Sequence, residues 1–502
     1  MDLFQSLGFG SSVERLLDKF HCPGVSIALV QNHTIASAGY GLTHLDPPRS
    51  MTPDTIFQIA SASKSLTGAS IALLVDDNTN YPNVTWTSTM TSLLPDDFVM
   101  SEDSHTKQIT IDDILGHRTG LPPHEASYFG ERSSHPDNAK SLTRNLRNLP
   151  IVAPIRTEFI YNNIMYTVAS HLIETLSGLK FADFLQAHFF GPLGMNSTNL
   201  GSIRAKVKGL GNRLTPGYLW DDKSNNYTSF EVQELAEAQG GGSIRSSVND
   251  YIKYIEAIMH SNAPFSKTMY EGIIHTRFFV EKDYMRRWPL TSSGLYAAGW
   301  GVTFYRGHMI ISHGGADPGV CTATFFLPSV NFGGVIMTNS LGGCTMTEIM
   351  QSQLVDEALK VPKNERLDWE KEPIALEDNY DTINTNKSLL EKLCPGIGQP
   401  QPQTTPLSAY NGSYWNAGYR TMTVGIDNDH LHINASDRSG DFQLDFKHIC
   451  EQTKYIAYKS FHLENTQLAL PAEFKFEDGR VVKMGLLLED KMNSLIWFDK
   501  QL

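Results

Sequence analysis

The apolar and polar positions along the chain change period several times, and each change predicts an element. Residues 24–31, GVSIALVQ, are apolar and β-branched, and a short turn through Asn32 and His33 leads to TIASAGYG, the signature of a β-hairpin. Between Phe57 and Asp76, Ile71, Leu73, Leu74 and Val75 make successive turns apolar, which predicts a buried helix. From about 80 to 240 helical spacing dominates. DDILGHRTGLPPHEASYFG reads as a helix followed by a Gly/Pro loop. In YTVASHLIETLSG, Val168, Leu172, Ile173 and Leu176 share one helical face, and FADFLQAHFFGPLGM reads as a helix closed by Gly191-Pro192. Strands return near 297: RGHMIISH, GVCTATFFLP and GGVIMTNS predict an antiparallel meander, followed by a helix near TEIMQSQLVDEALK. PGIGQPQPQTTP is linker composition. Beyond Leu407, YRTMTVGI, DHLHINAS and GDFQLDFKHI alternate with no helical signal, which predicts a small barrel or sandwich.

Strands at both ends of a helical middle predict an α/β (α+β) unit at 1–365, an antiparallel sheet flanked by helices, with an all-helical subdomain at about 80–240. A linker at 366–406 and a separate all-β C-terminal barrel at 407–502 complete the expected organisation. The cleft between sheet and helices is the place to look for a site.

Bulk properties narrow the function. The chain has 502 residues, 41% hydrophobic and 19% charged, which is ordinary globular composition. Its formal charge of −13 argues against nucleic acid as a partner. No apolar run approaches the roughly 18 residues of a membrane span. The start, MDLFQSLGFGSS, carries no basic, apolar leader pattern. Cys22, Cys321, Cys344, Cys394 and Cys450 are odd in number and form no CxxC pair, so free thiols in a reducing, cytoplasmic setting are expected. His430 and His432 flank Leu431 and read as strand alternation rather than as metal ligands.

Candidate chemistry concentrates at the start of the buried helix. Ser61 and Lys64 lie three apart and so share a face. A serine hydroxyl needs a base, and a lysine, with a free pKa of about 10.4, becomes one only when burial or a neighbouring cation lowers that value. Ser-x-x-Lys occurs three times, but Ser104/Lys107 lies in a charged loop and Ser177/Lys180 at a helix end, so only Ser61 heads an apolar helix. Tyr161 and Asn163 open the next buried helix; the tyrosine offers a proton shuttle and the asparagine a donor to an acyl oxygen. Tyr-x-Asn recurs at Tyr81/Asn83, in a polar turn. His313, Gly314 and Gly315 end a strand, the only His-x-Gly of the chain, where glycines let a substrate approach the backbone.

Ser-x-x-Lys, Tyr-x-Asn and a glycine-flanked basic residue on a strand, in this order, resemble the class C β-lactamase and penicillin-binding-protein-like family. FQIASASKSLTG, LGHRTGLP, FIYNN, FFGPLGM and AQGGGSIRSSVNDY resemble its other recurring blocks, over roughly residues 10–360. The resemblance implies attack by Ser61, proton handling by Lys64 and Tyr161, orientation of the acyl group by Asn163, and an oxyanion held by the N–H groups of Ser61 and Ala316, with no metal or organic cofactor. His-Gly-Gly replaces the Lys-Thr-Gly of true β-lactamases, which argues against that activity: a permanent cation becomes a group titrating near pH 6.5. The end of the chain resembles the lipocalin-like barrel of some relatives.

The leading expectation is a serine hydrolase or esterase acting on a small ester, lactone or amide. The alternatives are a transacylase in small-molecule biosynthesis, a D-amino-acid-type peptidase, and a catalytically silent scaffold. The expected partner is a small-molecule acyl substrate, with a homo-oligomer left open. Pocket aromatics are sought in loops 122–136, 212–230 and 279–300: Tyr128, Phe129, Tyr218, Trp220, Trp288 and Trp300.

Overall fold

The computed structural model describes residues 4, 6–280, 289–371, 386–463 and 467–501. Nine strands form one antiparallel sheet. Its spatial order is Pro48–Ser50, Thr34–Leu45, Gly24–Gln31, Phe332–Thr338, Val320–Leu327, His308–Asp317, Gly301–Tyr305, Gly294–Tyr296 and Phe278–Val280. The N-terminal strand lies in the interior of the sheet, with Ile27 opposite Ala38 on one side and Ile336 on the other. The chain therefore closes on itself around the helical middle, as the sequence pattern implied.

Both faces of the central strands are covered, which explains their unbroken apolar runs. Ile27 and Leu29 pack with Val13, Leu16, Ile349 and Met350 of the helices Leu7–Lys19 and Gly343–Ala358. Ala28 and Val30 face the opposite way and join the core built on the helices Ser63–Asp76 and Val248–Met259. Truncating one of these fully buried side chains, such as Ile27→Ala, would cost about 2–5 kcal/mol.

The middle of the chain is mostly helical, but residues 217–230, read as a loop, form a β-hairpin of Gly217–Asp221 and Asn226–Phe230. The Tyr218 hydroxyl accepts from the Leu45 amide at 3.1 Å and so ties the hairpin to the sheet edge. Its strands are too short and mixed in polarity for period alone to reveal them.

Eight sequential strands from Gly412–Asn416 to Ile496–Lys500 close into a barrel, the first meeting the last at Tyr414–Lys500. In Phe442–Cys450, Phe442, Leu444 and Phe446 point inward while Gln443, Asp445 and Lys447 face solvent. His430 is exposed, and His432 meets Asp445 at 2.8 Å on the outer side of its strand. Within the expected linker, the helix Asn386–Leu393 packs Leu389 against Ile449 and Ile456 of the barrel.

The barrel is stitched to the sheet-and-helix body. The Gly130 amide donates to the Asp437 carbonyl at 3.1 Å, and the Ser439 amide to the Tyr128 carbonyl at 3.0 Å. The Phe129 ring lies between the Arg420 and Arg438 guanidinium groups at 4.1 and 3.9 Å. The Tyr419 hydroxyl meets His124 Nδ1 at 2.6 Å, and the Ser439 hydroxyl donates to Glu237.

The expectation of five free thiols is corrected. Cys321 is bonded to Cys344 and Cys394 to Cys450, leaving Cys22 free and buried. The partners stand 23 and 56 residues apart and are brought together by packing of strand on helix, which a search for CxxC does not detect. No helix among the described residues is long and apolar enough to cross a membrane.

Candidate active site

Ser61 sits in a tight 3-10 turn, Ala60–Ala62, that runs directly into the helix Ser63–Asp76. Ala60 adopts a positive φ of 43°, an unfavourable conformation for a residue with a Cβ, immediately before the serine. The turn therefore presents Ser61 at the helix N-terminus with its hydroxyl facing a cavity, while Ala62 and Leu66 fall into the core. The helix is buried nearly all round, as its mixed small and apolar residues require.

Lys64, one turn on, is wholly buried. Its Nζ stands 3.0 Å from Ser61 Oγ, 2.7 Å from Asn163 Oδ1 and 2.8 Å from the Gly241 carbonyl, and 4.7 Å from the centre of the Tyr161 ring. Burial pushes its pKa down to about 7, against an opposing pull from Glu125. A neutral amine has two N–H donors and one lone pair. The Asn163 and Gly241 oxygens are obligate acceptors and take the two donors, which leaves the lone pair for the Ser61 hydroxyl. This geometry can draw the proton from Ser61 at neutral pH.

Tyr161 and Asn163 flank a helix cap. Asn162 accepts from the Met165 amide at 3.1 Å and donates to the Leu121 and Pro122 carbonyls, which fixes the start of the helix Asn163–Ser177. The residues on either side then point toward Lys64. Tyr161 is hydrogen-bonded to Ser61, and burial holds its pKa well above the ordinary phenol value, so it is a phenol and not a phenolate across the neutral range. His117 braces it: the rings are 4.2 Å apart, and His117 Nδ1 accepts from the Asn162 amide at 3.0 Å. Asn163 donates to Glu125 Oε1 at 2.8 Å, which orients its oxygen to Lys64.

The strand His308–Asp317 forms the opposite wall. It pairs with Gly301–Tyr305 only as far as Ser312, so its last residues leave that partner and pass alongside the serine turn. A side chain at 315 would run into the Ile59 carbonyl, so the glycine is what lets the strand approach the nucleophile. At 314 the nearest atom to an added Cβ is 3.6 Å away, so Gly314 is not required by space. His313 donates from Nδ1 to the Gly314 carbonyl at 2.6 Å and therefore accepts at Nε2 from the Tyr296 hydroxyl at 2.8 Å. Burial and the neighbouring Lys64 push its pKa to about 4, which corrects the expectation of titration near 6.5: His313 is neutral at physiological pH.

A cavity of about 620 Å³ joins these pieces. Ser61, Tyr161, Asn163, His313, Gly314, Gly315 and Ala316 all line it, and Lys64 reaches Ser61 from beneath. Of the aromatics sought in loops, none of those described lines it. Trp300 is in the core, Trp220 stacks on His21, Phe129 and Tyr128 serve the barrel contact, and Tyr218 ties down the hairpin. Trp288 lies outside the described residues. Tyr296, Tyr305 and Trp369 line the cavity instead, from strands and a C-terminal segment. Sequence reasoning also missed His117, Glu125 and Gly241 as parts of the site; the LGHRTGLP and AQGGGSIRSSVNDY blocks contain two of them, but nothing local ties them to Lys64. The Cys321–Cys344 bridge forms part of the same cavity wall.

Comparison with known proteins gives the family and the fold. The family model described as Beta-lactamase matches residues 9–354, and one described as a domain of unknown function, DUF3471, matches residues 398–500. A protein of Aspergillus campestris named unguisins hydrolase is 33% identical over 98% of this chain and 91% of its own length. A namesake from Aspergillus violaceofuscus is 31% identical over 93% and 85%. Among solved structures, the octameric penicillin-binding protein homologue of Pyrococcus abyssi superposes with a TM-score of 0.61 at 17% identity, covering 99% of this chain and all of that one. The D-amino acid amidase of Ochrobactrum anthropi SV3 gives 0.55 at 21%, covering 71% and 99%. Both share the fold.

Proposed function

The chain belongs to the Beta-lactamase family, and from that premise we propose that it is a serine hydrolase cleaving an ester, lactone or amide bond of a small molecule through an acyl-Ser61 intermediate. The observation that carries this reading is Lys64: a buried amine, its pKa pushed down to about 7, whose Nζ stands 3.0 Å from a serine hydroxyl on the wall of an open cavity. Ser61 Oγ attacks the carbonyl carbon as its proton passes to Lys64. The tetrahedral oxyanion rests on the N–H groups of Ser61 and Ala316. The bond to the leaving group breaks, and the leaving atom takes a proton relayed through Lys64 and Tyr161. Water, losing its proton to the same amine, then releases the acid and restores Ser61. Asn163 orients the acyl group, and neutral His313 holds the strand edge through Tyr296 and the Gly314 carbonyl.

The substrate is proposed to lack a carboxylate at the position where β-lactams carry one. His313 offers no cation there, and the described residues lining the cavity include no lysine or arginine. The two Aspergillus relatives, named for hydrolysing unguisins and similar over nearly the whole chain, make substrates of that kind the first to offer. The two disulfides favour an oxidising compartment over the cytoplasm. The deciding experiment is intact-mass analysis with a fluorophosphonate, together with turnover of p-nitrophenyl acetate. The wild type should gain one adduct, on Ser61, and Ser61→Ala should neither label nor turn over; turnover retained by Ser61→Ala would overturn the reading.

A further inference from the structure

A second cavity, of about 240 Å³, adjoins the first. Glu125 and Asn163 line both, so the two spaces share a wall at the residue proposed to hold the acyl group. The second cavity's floor comes from the body, through Phe230, Leu235 and Asp317, the last being the residue after Ala316. Its outer wall comes from the barrel: Gly440, Asp441, Phe461 and Leu463. This wall is fixed, because the Ser439 amide donates to the Tyr128 carbonyl and the Ser439 hydroxyl to buried Glu237.

We propose that the barrel completes a substrate subsite, in which the part of the acyl group beyond Asn163 places an apolar side chain among Phe230, Phe461 and Leu463 and turns N–H or ammonium groups toward Glu125, Asp317 and Asp441. This rests on the acyl-Ser61 reading above. The lining chemistry selects the class of ligand. Three carboxylates line the space: Asn163 donates to Glu125, Gln58 donates to Asp317 at 2.7 Å, and Arg132 meets Asp441 at 2.7 Å, and a carboxylate accepts several hydrogen bonds at once. A carboxylate on the substrate would meet like charge, whereas a peptide-like acyl group with an apolar side chain would find both contact and acceptors. The enzyme is thereby set to prefer long, uncharged or cationic acyl groups over short ones.

The test uses three p-nitrophenyl esters: acetate, 6-phenylhexanoate and 6-(4-carboxyphenyl)hexanoate. In the full-length wild type, kcat/KM for phenylhexanoate should exceed that for acetate at least tenfold, and the carboxylated ester should lose most of the advantage. Gly440→Phe adds a ring at the cavity wall without a backbone clash, since Gly440 lines the space, nothing lies within 4 Å of an added Cβ and the backbone φ is ordinary. It should lower the phenylhexanoate-to-acetate ratio at least fivefold, and Phe461→Ala should lower it too, which keeps the test open should the first variant fail to fold. An unchanged ratio in both variants, or equal loss on both esters, overturns the subsite. If the wild type shows no Ser61-dependent turnover of any ester, it is the acyl-Ser61 reading that has failed, and the two failures are distinct.

Discussion

One cluster of buried ionisable groups lies under the serine turn, and another lies in the seam between body and barrel. Under the turn, Lys64 is pushed down to about 7 by burial. In the seam, burial pushes Glu237 up to about 7 and Glu489 up to about 8, and His124 down to about 4. The physical cause is the same in both, loss of water around a group that would be charged. What differs is the company. Lys64 has a hydroxyl on its lone pair and an open cavity beyond it. The seam groups meet Tyr419, Ser439, the Pro150 carbonyl and one another, and they hold two parts of the fold together through hydrogen bonds. A shifted pKa marks a reactive site only where a nucleophile and access come with it.

The contrast can be broken most directly by removing the base. Lys64→Met should lower kcat on p-nitrophenyl acetate by about 10³-fold, within the usual range for a general base. Glu489→Gln should leave kcat within about threefold. A large catalytic loss in the seam variant would show that the two clusters act as one. Next in size is Gly315→Ala, where the added methyl displaces the strand from the serine turn; kcat/KM should fall by about 10²-fold through misplacement of the reacting groups. Gly314→Ala, with 3.6 Å of room, should cost at least tenfold less.

The third comparison uses pH, and the two clusters should respond at different observables. Activity needs Lys64 neutral, so log kcat/KM should rise with pH and level off above about 7. Stability is sensitive to the seam. A carboxyl raised in the fold keeps a proton that the unfolded chain has released, so its contribution is whole below about pH 4.5 and is lost as pH climbs through the folded value. Lys64 works the other way between about 7 and 10.5, because the unfolded chain binds the proton the fold excludes. The seam is therefore isolated by difference. The Tm of Glu489→Gln minus that of wild type should rise by about 3 °C between pH 6 and 9, read by calorimetry, as the mutant no longer has a proton to lose. A flat difference would remove Glu489 from the seam's energetics. The smallest effect concerns the cap: Asn162→Ala should cost about 1–2 kcal/mol of stability in denaturant titration and should also lower activity by loosening Tyr161 and Asn163.

Much of the fold, and the residues that the structure brings together as the candidate site, were legible in the sequence because their signals are local. Ser61 and Lys64 stand out by helical spacing, and Tyr161 and Asn163 by opening a buried helix; His313 to Gly315 stand out as the chain's His-x-Gly, although the strand expected to end there runs on to Asp317. The barrel was legible from alternation alone. His117, Glu125, Tyr296 and Gly241 were not, since each reaches the site from a loop or strand whose proximity exists only after folding. The two disulfides were missed for the same reason. The described aromatics proposed from loop position do not line the cavity at Ser61, because large rings in a well-packed body fill space where helices and strands meet, as Trp300 does; Tyr128 lines the adjoining cavity instead.

Gly315 has one more implication. The gap between the serine turn and the strand opposite is set by main chain touching main chain, at Ile59 and Ala62. Residues such as Tyr305, Glu348 and Trp369 hang from this frame without setting its width. A lineage built this way is free to exchange its lining and take up new metabolites while the spacing that attack on a carbonyl demands passes unaltered from one specificity to the next.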